Sequence, residues 1–441
     1  MKHFILMIAA AFSFAVADAR HDVPCKPRIL ISTDIGGTDA DDNQSMAHLL
    51  MMNEQFDIEG LVSSPSFGDG SKEELLRMID LYEKDFPVLK AKVDGLAEPD
   101  ALRRLCKQGR RGRAPWCGYA GPSEGSRHIV ECARRDDSRP LWILVWGALE
   151  DVAQALHDAP DIAGKIRIYW IGGPNKKWGC NAYTYMARNF PDLTFIENNA
   201  SYRGFISDGK QKGEWQGGYY DHHIRGGGHL GTDFINYYGG NVKMGDTPSL
   251  LYMMDGDPED PTRENWGGAF ERMTASPYRI YDRMTTSADT VSVYSIFELR
   301  LKLPANYSAD GGQPPFVLLI DKQRWEAERD GGYAAVRYSP KAPAVLSYEI
   351  ISEISEFNGL KGQIVADGKW PGGHQTATDL PLGDRWFTDK ADKALFNGPW
   401  QGFHSIARWR EDVLRDWAVR WGWLKDNPIK TKEKSIKTNE K

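Results

Sequence analysis

"RILISTDIGGTDADDNQSMAHLLMMNEQF", residues 28–56, joins an apolar run to a helical pattern through a loop that carries Asp34, Asp39, Asp41 and Asp42. The run ending at Thr33 reads as a buried strand, and Met46, Leu49 and Leu50 return at helical spacing after the loop. The same alternation continues outward: "IEGLVSS" then "SKEELLRMIDLYEKD", "LWILVWGA" then "LEDVAQALHDA", and finally "KIRIYWIGG" and "LTFIENN". Ser71 and Glu74 have the spacing of a capping box at the head of the second helix. Strands apolar on both faces, parted by helices, predict an α/β fold built on a mostly parallel sheet covered on each side.

Between Tyr202 and Gly240 the rhythm breaks into "GEWQGGYYDHHIRGGGHLGTDF". A long loop rich in Gly, aromatics and His inside a compact domain predicts an active-site lid or rim. Residues 288–366 change texture again: "SVYSIFELRLKLP", "PPFVLLID", "GYAAVRYSP" and "AVLSYEIISEI" are strands parted by turns, the pattern of a small antiparallel β-sandwich. Helix returns in "SIARWREDVLRDWAVRWGWL", with Ile406, Trp409, Val413, Trp417 and Trp421 on one face. Residues 425–441 are polar and Lys-rich and predict a disordered tail.

Residues 1–19 read as a signal peptide, with Lys2 and His3, an apolar run from Phe4 to Val16 and an Ala-Asp-Ala site, so the protein is expected to be secreted or periplasmic. No other stretch approaches the roughly 18 apolar residues that span a bilayer. A formal charge of −6 without a basic face argues against nucleic acid as the partner. Five cysteines, Cys25, Cys106, Cys117, Cys132 and Cys180, leave at least one unpaired; Cys106 and Cys117 could close a loop, but their sequence does not assign a pairing. The 15 Trp suit sugar or ring binding as well as core packing.

The aspartates follow a strand of an open parallel sheet, where such sheets bind ligands. Carboxylates crowded there repel one another and hold protons more tightly unless a cation joins them. Oxygen-only ligands suit calcium or magnesium, and calcium tolerates the irregular geometry of a loop. Asp41 and Asp42 also fit a helix N-terminus, but that leaves Asp34 at the strand end unexplained.

"TDIGGTDADDNQSMA" resembles the N-terminal aspartate motif of the nucleoside hydrolase superfamily. "WIGGPNKKWGCNAYTYMARNFPDLTFIENNASYRG", "GDTPSLLYMM", "WGGAF" and "ARWREDVLRDWAVR" are similar to the secreted, cellulose-binding Sde182-type family. The resemblance implies a nucleoside-hydrolase-like α/β domain over 28–283, completed by 384–424, with the sandwich as an insertion. It implies calcium as cofactor and a small sugar or nucleoside-like substrate, or a polysaccharide. By the motif Asp34 is a metal ligand and the base for water, Asp42 a bidentate ligand and Asp41 the partner of a sugar hydroxyl. The Trp146 carbonyl and Asp246 complete the metal shell, while Glu197 and Asn199, assisted by Asn175 or Asn181, hold the sugar. Relatives are often oligomeric.

Three departures shape the expectation. Two extra residues enlarge the loop before Asp41, leaving Asp39 either to support a ligand or to be solvated. Ser32 replaces the first acid of the usual Asp-x-Asp pair. Gly245 stands where ribohydrolases often carry a His beside the leaving base, so His223, or His222 or His229, is a candidate acid from the lid, the alternative being plain loop histidines. Trp178 in its Gly/Asn-rich turn either stacks on a ring or packs in the core, and the sandwich either touches carbohydrate or serves as a spacer. Two functions follow: a secreted calcium-dependent hydrolase of N-glycosidic or related glycosidic bonds, or a non-catalytic carbohydrate-binding protein using the same pocket.

Overall fold

The structure, a computed structural model, describes residues 25–426 except 306, 308–312, 369 and 372–375. The expected signal peptide, nearly all of the expected tail and part of the stretch "DGKWPGG" that follows the sandwich at 367–373 lie outside the described residues. Seven strands, β1 (Arg28–Thr33), β2 (Asp57–Ser63), β3 (Cys106–Gln108), β4 (Leu141–Val145), β5 (Ile166–Ile171), β6 (Thr194–Asn198) and β7 (Phe270–Arg272), share one sheet with a late strand, Trp386–Asp389. The order is β3-β2-β1-β4-β5-β6, then Trp386–Asp389, then β7. Every neighbouring pair is parallel except β7 against the late strand.

The chain steps outward from β1 to β3, then restarts at β4 on the other flank of β1. The carboxyl ends of β1 and β4 therefore frame the switch point where open sheets leave a crevice. Both faces of the sheet are buried, and successive residues alternate between them. Ile29 and Ile31 join the core under helices α1 (Asp41–Met51) and α2 (Lys72–Lys90), whereas Leu30 faces the core on the opposite side. On α2, Leu75, Met78, Ile79, Tyr82, Phe86 and Leu89 make the buried stripe. The expected capping box does not close: the Ser71 hydroxyl bonds Glu73, while Glu74 receives the Arg77 guanidinium at 2.7 Å. A charge-assisted i,i+3 pair holds the glutamate away from the helix start.

The C-terminal helix, Arg410–Lys425, buries Val413, Trp417 and Trp421 in the core shared with α1 and α2. No helix among the described residues is long and apolar enough to cross a membrane. All five thiols are free: Cys106 is buried at the start of β3 and Cys117 is exposed, so no bond joins them.

The β-rich unit is two sheets packed over Phe297, Leu299, Phe316, Leu318, Trp325, Ile350 and Ile364. It reaches further back than the pattern over 288–366 predicts. The strand Tyr278–Tyr281 pairs in parallel with Ile296–Lys302, and Ala275–Ser276 pairs with Leu380–Pro381 to form a neck. Strands of two to four residues carry no readable period, so only their partners reveal them. The pairings of Tyr278–Tyr281 and of Thr290–Val291 are parallel, so the unit is mixed rather than purely antiparallel.

Candidate functional site

β1 ends in a turn in which the Gly37 amide donates to the Asp34 carbonyl at 2.9 Å. Gly36 sits at φ +83°, with Ser71 so close that a Cβ would lie 2.8 Å from its side chain, so the turn needs glycine. Asp41 and Asp42 then open α1, and the Thr33 hydroxyl donates to Asp42. From the other side, Asp246 immediately precedes the helix Thr247–Met254. Oxygens of Asp41, Asp42 and Asp246 all lie within 4.8 Å of one another. Asp42 is 1% and Asp246 3% exposed, and Asp246 Oδ2 has no hydrogen-bond partner among the described residues. At such spacing each pair of charges repels by about 3 kcal/mol at an effective dielectric near 20. Burial, reinforced by the neighbouring carboxylates, holds the Asp42 and Asp246 carboxyls well above their ordinary range. Asp41 is pushed up to about 8, by burial and then by Asp39.

Asp34 stands beside Asp42 and Ser66, and burial raises it to about 6. It also presses on the end of β4: a Cβ on Gly147 would lie 2.9 Å from the Asp34 Cβ. The adjoining Trp146 carbonyl accepts the Asn175 side-chain amide at 3.0 Å. The switch point thus gathers Asp34, Asp41, Asp42, Asp246 and the Trp146 backbone. The tight oxygen trio includes Asp41, with Asp34 at its side, whereas the motif puts Asp34 on the metal and Asp41 on the sugar.

The other expected site residues are placed elsewhere or otherwise engaged. Glu197 is fully buried and accepts from Lys176 at 2.7 Å, from Tyr183 at 2.7 Å and from the Asn199 amide at 2.9 Å. Asn199 Oδ1 takes the Gly173 amide, so this pair is satisfied from within the protein. Asn181 bonds the Ala114 carbonyl and receives Arg337 of the sandwich. Trp178 is 8% exposed and stacks on Trp325 of the sandwich at 5.0 Å, the packing alternative of the two expected. His223 bonds Glu214 at 3.0 Å and lies on Trp215 and against Tyr219, whose hydroxyl reaches Leu414 of the C-terminal helix. His229 bonds Asp85 of α2. The expected lid is folded into short helical turns, including Tyr220–Ile224 and Gly228–Phe234, that pack against the C-terminal helix and α2.

A family model described as cellulose-binding Sde182, nucleoside hydrolase-like domain matches residues 28–270. The chain belongs to this family. The matched segment holds all four carboxylates and ends at β7, before the neck of the sandwich. Among solved structures, a nucleoside hydrolase-related protein from Saccharophagus degradans associated with carbohydrate metabolism is 19% identical, with 78% of this chain and 100% of that one covered and a TM-score of 0.47. The inosine-uridine preferring nucleoside hydrolase of Bacillus anthracis is 13% identical over 58% of this chain and 87% of its own, with a TM-score of 0.36. No curated protein matches the chain.

Within this Sde182-type domain, four residues join the site without a signal in the motif. Lys243 and Tyr238 both bind Asp39, and Lys243 lies 3.9 Å from Asp41. Asp39 is therefore paired, and it ties the enlarged loop to the segment ahead of Asp246. Gln44 accepts the Lys243 and Met244 amides at 2.8 and 3.1 Å, fixing that segment over α1. Ser66, from the loop after β2, lies beside Asp34 and donates to the Asn175 side-chain oxygen at 2.6 Å. Lys243 stands three residues before Asp246 and is the one a reader of the sequence could have picked out.

Proposed function

We propose that this protein is an exported, calcium-dependent hydrolase of N-glycosidic or related glycosidic bonds, with Asp34 as the base that takes the proton of the attacking water. The observation that carries the reading is the Asp41, Asp42 and Asp246 trio, Asp41 half-buried and the other two buried, with the unpartnered Asp246 oxygen. These donors are hard oxygens, Lys243 reaches the trio only at 3.9 Å from Asp41, and a divalent cation is the group they fit. Asp41, Asp42 and Asp246 would hold it, with Asp34 and the Trp146 carbonyl alongside. Bound calcium would supply a fixed positive charge beside the reacting atoms.

The remaining steps fall to the chain's own groups. The Asp34 carboxylate, buried beside Ser66, accepts the water's proton as the nucleophile closes on the anomeric carbon. Asp41 faces a sugar hydroxyl, and negative charge around the ring favours the oxocarbenium-like transition state. Both Glu197 oxygens are engaged, so the sugar contact in this reading rests on Asp41 rather than on Glu197 and Asn199. Asp34→Ala should reduce turnover by at least a hundredfold with an unchanged circular dichroism spectrum; wild-type rates in that variant refute the mechanism. Calcium at a hundredfold excess over its Kd should stabilise the wild type by about 2.7 kcal/mol and do nothing for Asp246→Asn.

A second reading, carbohydrate binding without cleavage, is favoured by one observation. A Cβ at Gly245 would lie 2.4 Å from Asp41 Oδ2, so a His cannot occupy the leaving-group position with Asp41 where it stands, and His223 is held by Glu214 and Trp215. Glycan retention with no released base or reducing sugar, at full calcium occupancy, selects this reading.

A further inference from the structure

A cavity of about 410 Å³ opens between the α/β unit and the sandwich, within the size range of small-molecule sites. One wall is the basic loop "GRRGRAPW", which brings Arg110, Arg113 and Trp116; the other is the strand Gln323–Glu326, which brings Arg324 and Glu326. Arg110, Arg113 and Arg324 are in no ion pair among the described residues, and Arg324 and Arg113 are exposed. Arg110 instead donates to the Arg113 carbonyl, which draws the two guanidiniums to one rim. Behind them Arg337 is 5% exposed, lies 3.7 Å from Glu298 and stacks 3.4 Å over Trp116. Arg113 lies 4.0 Å over the Trp325 ring, so aromatic faces and cations share the lining.

Three guanidiniums with no carboxylate at ion-pair distance among the described residues, gathered in a chain of net charge −6, are a recognition feature rather than a solvated face. Glu326 and Glu328 line the same cavity and are likewise outside any ion pair among the described residues. Carboxylates beside guanidiniums and a tryptophan suit a ligand with both hydroxyls and an anionic group. We propose that this cavity binds a saccharide bearing an anionic substituent, a carboxylate or a sulfate ester. The substituent takes the Arg110, Arg113 and Arg324 guanidiniums, hydroxyls go to Glu326 and Glu328, and the ring lies against Trp116. The cavity is separate from the acid cluster but adjoins it. Trp178, on its lining, meets Phe67 in a tilted contact with ring centroids 4.5 Å apart, and Phe67 is 52% exposed and next to Ser66 of the Asp34 site. A longer acidic chain could then reach from the cavity to the acid cluster. That last step alone rests on the hydrolase reading.

Isothermal titration of the full chain with oligogalacturonate, a sulfated disaccharide and cellohexaose tests the proposal, repeated on Arg324→Ala and on Asp42→Asn. Tighter binding of one acidic ligand than of cellohexaose is expected, weakened by salt and about tenfold weaker in Arg324→Ala. The better of the two acidic ligands tells carboxylate from sulfate. Because Arg324 is exposed, that variant should melt like the wild type. Asp42→Asn should leave the affinity for the acidic ligand unchanged even where it ends turnover, so the two sites fail separately. Equal affinity for cellohexaose, no binding of any of the three, or loss in Asp42→Asn but not in Arg324→Ala each overturns the proposal.

Discussion

Gly245 and Lys243 show how single residues set the character of the acid cluster. The missing side chain at Gly245 leaves room for the Asp41 carboxylate, and Lys243 pairs with Asp39, whose charge still raises Asp41 and Asp246. A different residue, His48, reports on the core. It is 1% exposed, meets Trp417 edge-on at 5.1 Å, and burial, then the charge of Arg420, lowers its pKa to about 3. The unfolded chain takes up this proton below about pH 6.5, whereas the folded chain stays neutral until about pH 3. Between those values the unfolded state binds more protons, so stability falls as pH falls through that window. From pH 7 to pH 5 this one group should cost about 2 kcal/mol. Urea melts at both pH values should therefore show a shallower loss in His48→Leu than in the wild type; equal losses would place the acid sensitivity elsewhere.

Among elements, the short helix Gly173–Trp178 and β6 are joined by the Lys176–Glu197 pair, both side chains fully buried. Lys176 Nζ also lies 3.8 Å over Tyr183 and 3.9 Å over Trp370, a residue of the inserted unit. Breaking such a pair strands a charge, so Lys176→Met should cost about 3–5 kcal/mol, while Lys176→Met with Glu197→Gln should recover much of it. Additive losses in a double-mutant cycle would deny the coupling. This pair also marks where sequence reasoning stops. "RILIST", "LWILV" and "KIRIYWI" announce their strands because both faces are buried, and Asp34, Asp41 and Asp42 are legible because a strand end and a helix start are local features, whereas Asp246 entered only through the family resemblance. Glu197 reads equally well as a sugar ligand or as an ion-pair partner, since Lys176 meets it only across the folded sheet. Trp178, Asn181 and His223 depend likewise on partners far along the chain, Trp325, Arg337 and Glu214 with Trp215.

At the scale of the whole molecule the insertion is not an appendage. The sheet of the α/β unit needs Trp386–Asp389, which arrives only after the sandwich, between β6 and β7. The cores interpenetrate as well: Trp178 belongs to the sandwich core, while Tyr278, Tyr294, Ile296 and Trp370 belong to the core beneath β4 and β5. Lys177 meets Asp321 at 2.8 Å beside the stacked Trp178 and Trp325 rings, so polar and aromatic contacts seal the same seam. Two units that share buried side chains cannot lose one core without opening the other, so calorimetry should record one cooperative transition with matching van't Hoff and calorimetric enthalpies. Trp325→Ala opens a cavity on both sides of the seam and should lower stability by about 3–5 kcal/mol while keeping that single transition. A second, separate peak in either protein would mean that the sandwich folds on its own and that the seam is a contact surface rather than a common core.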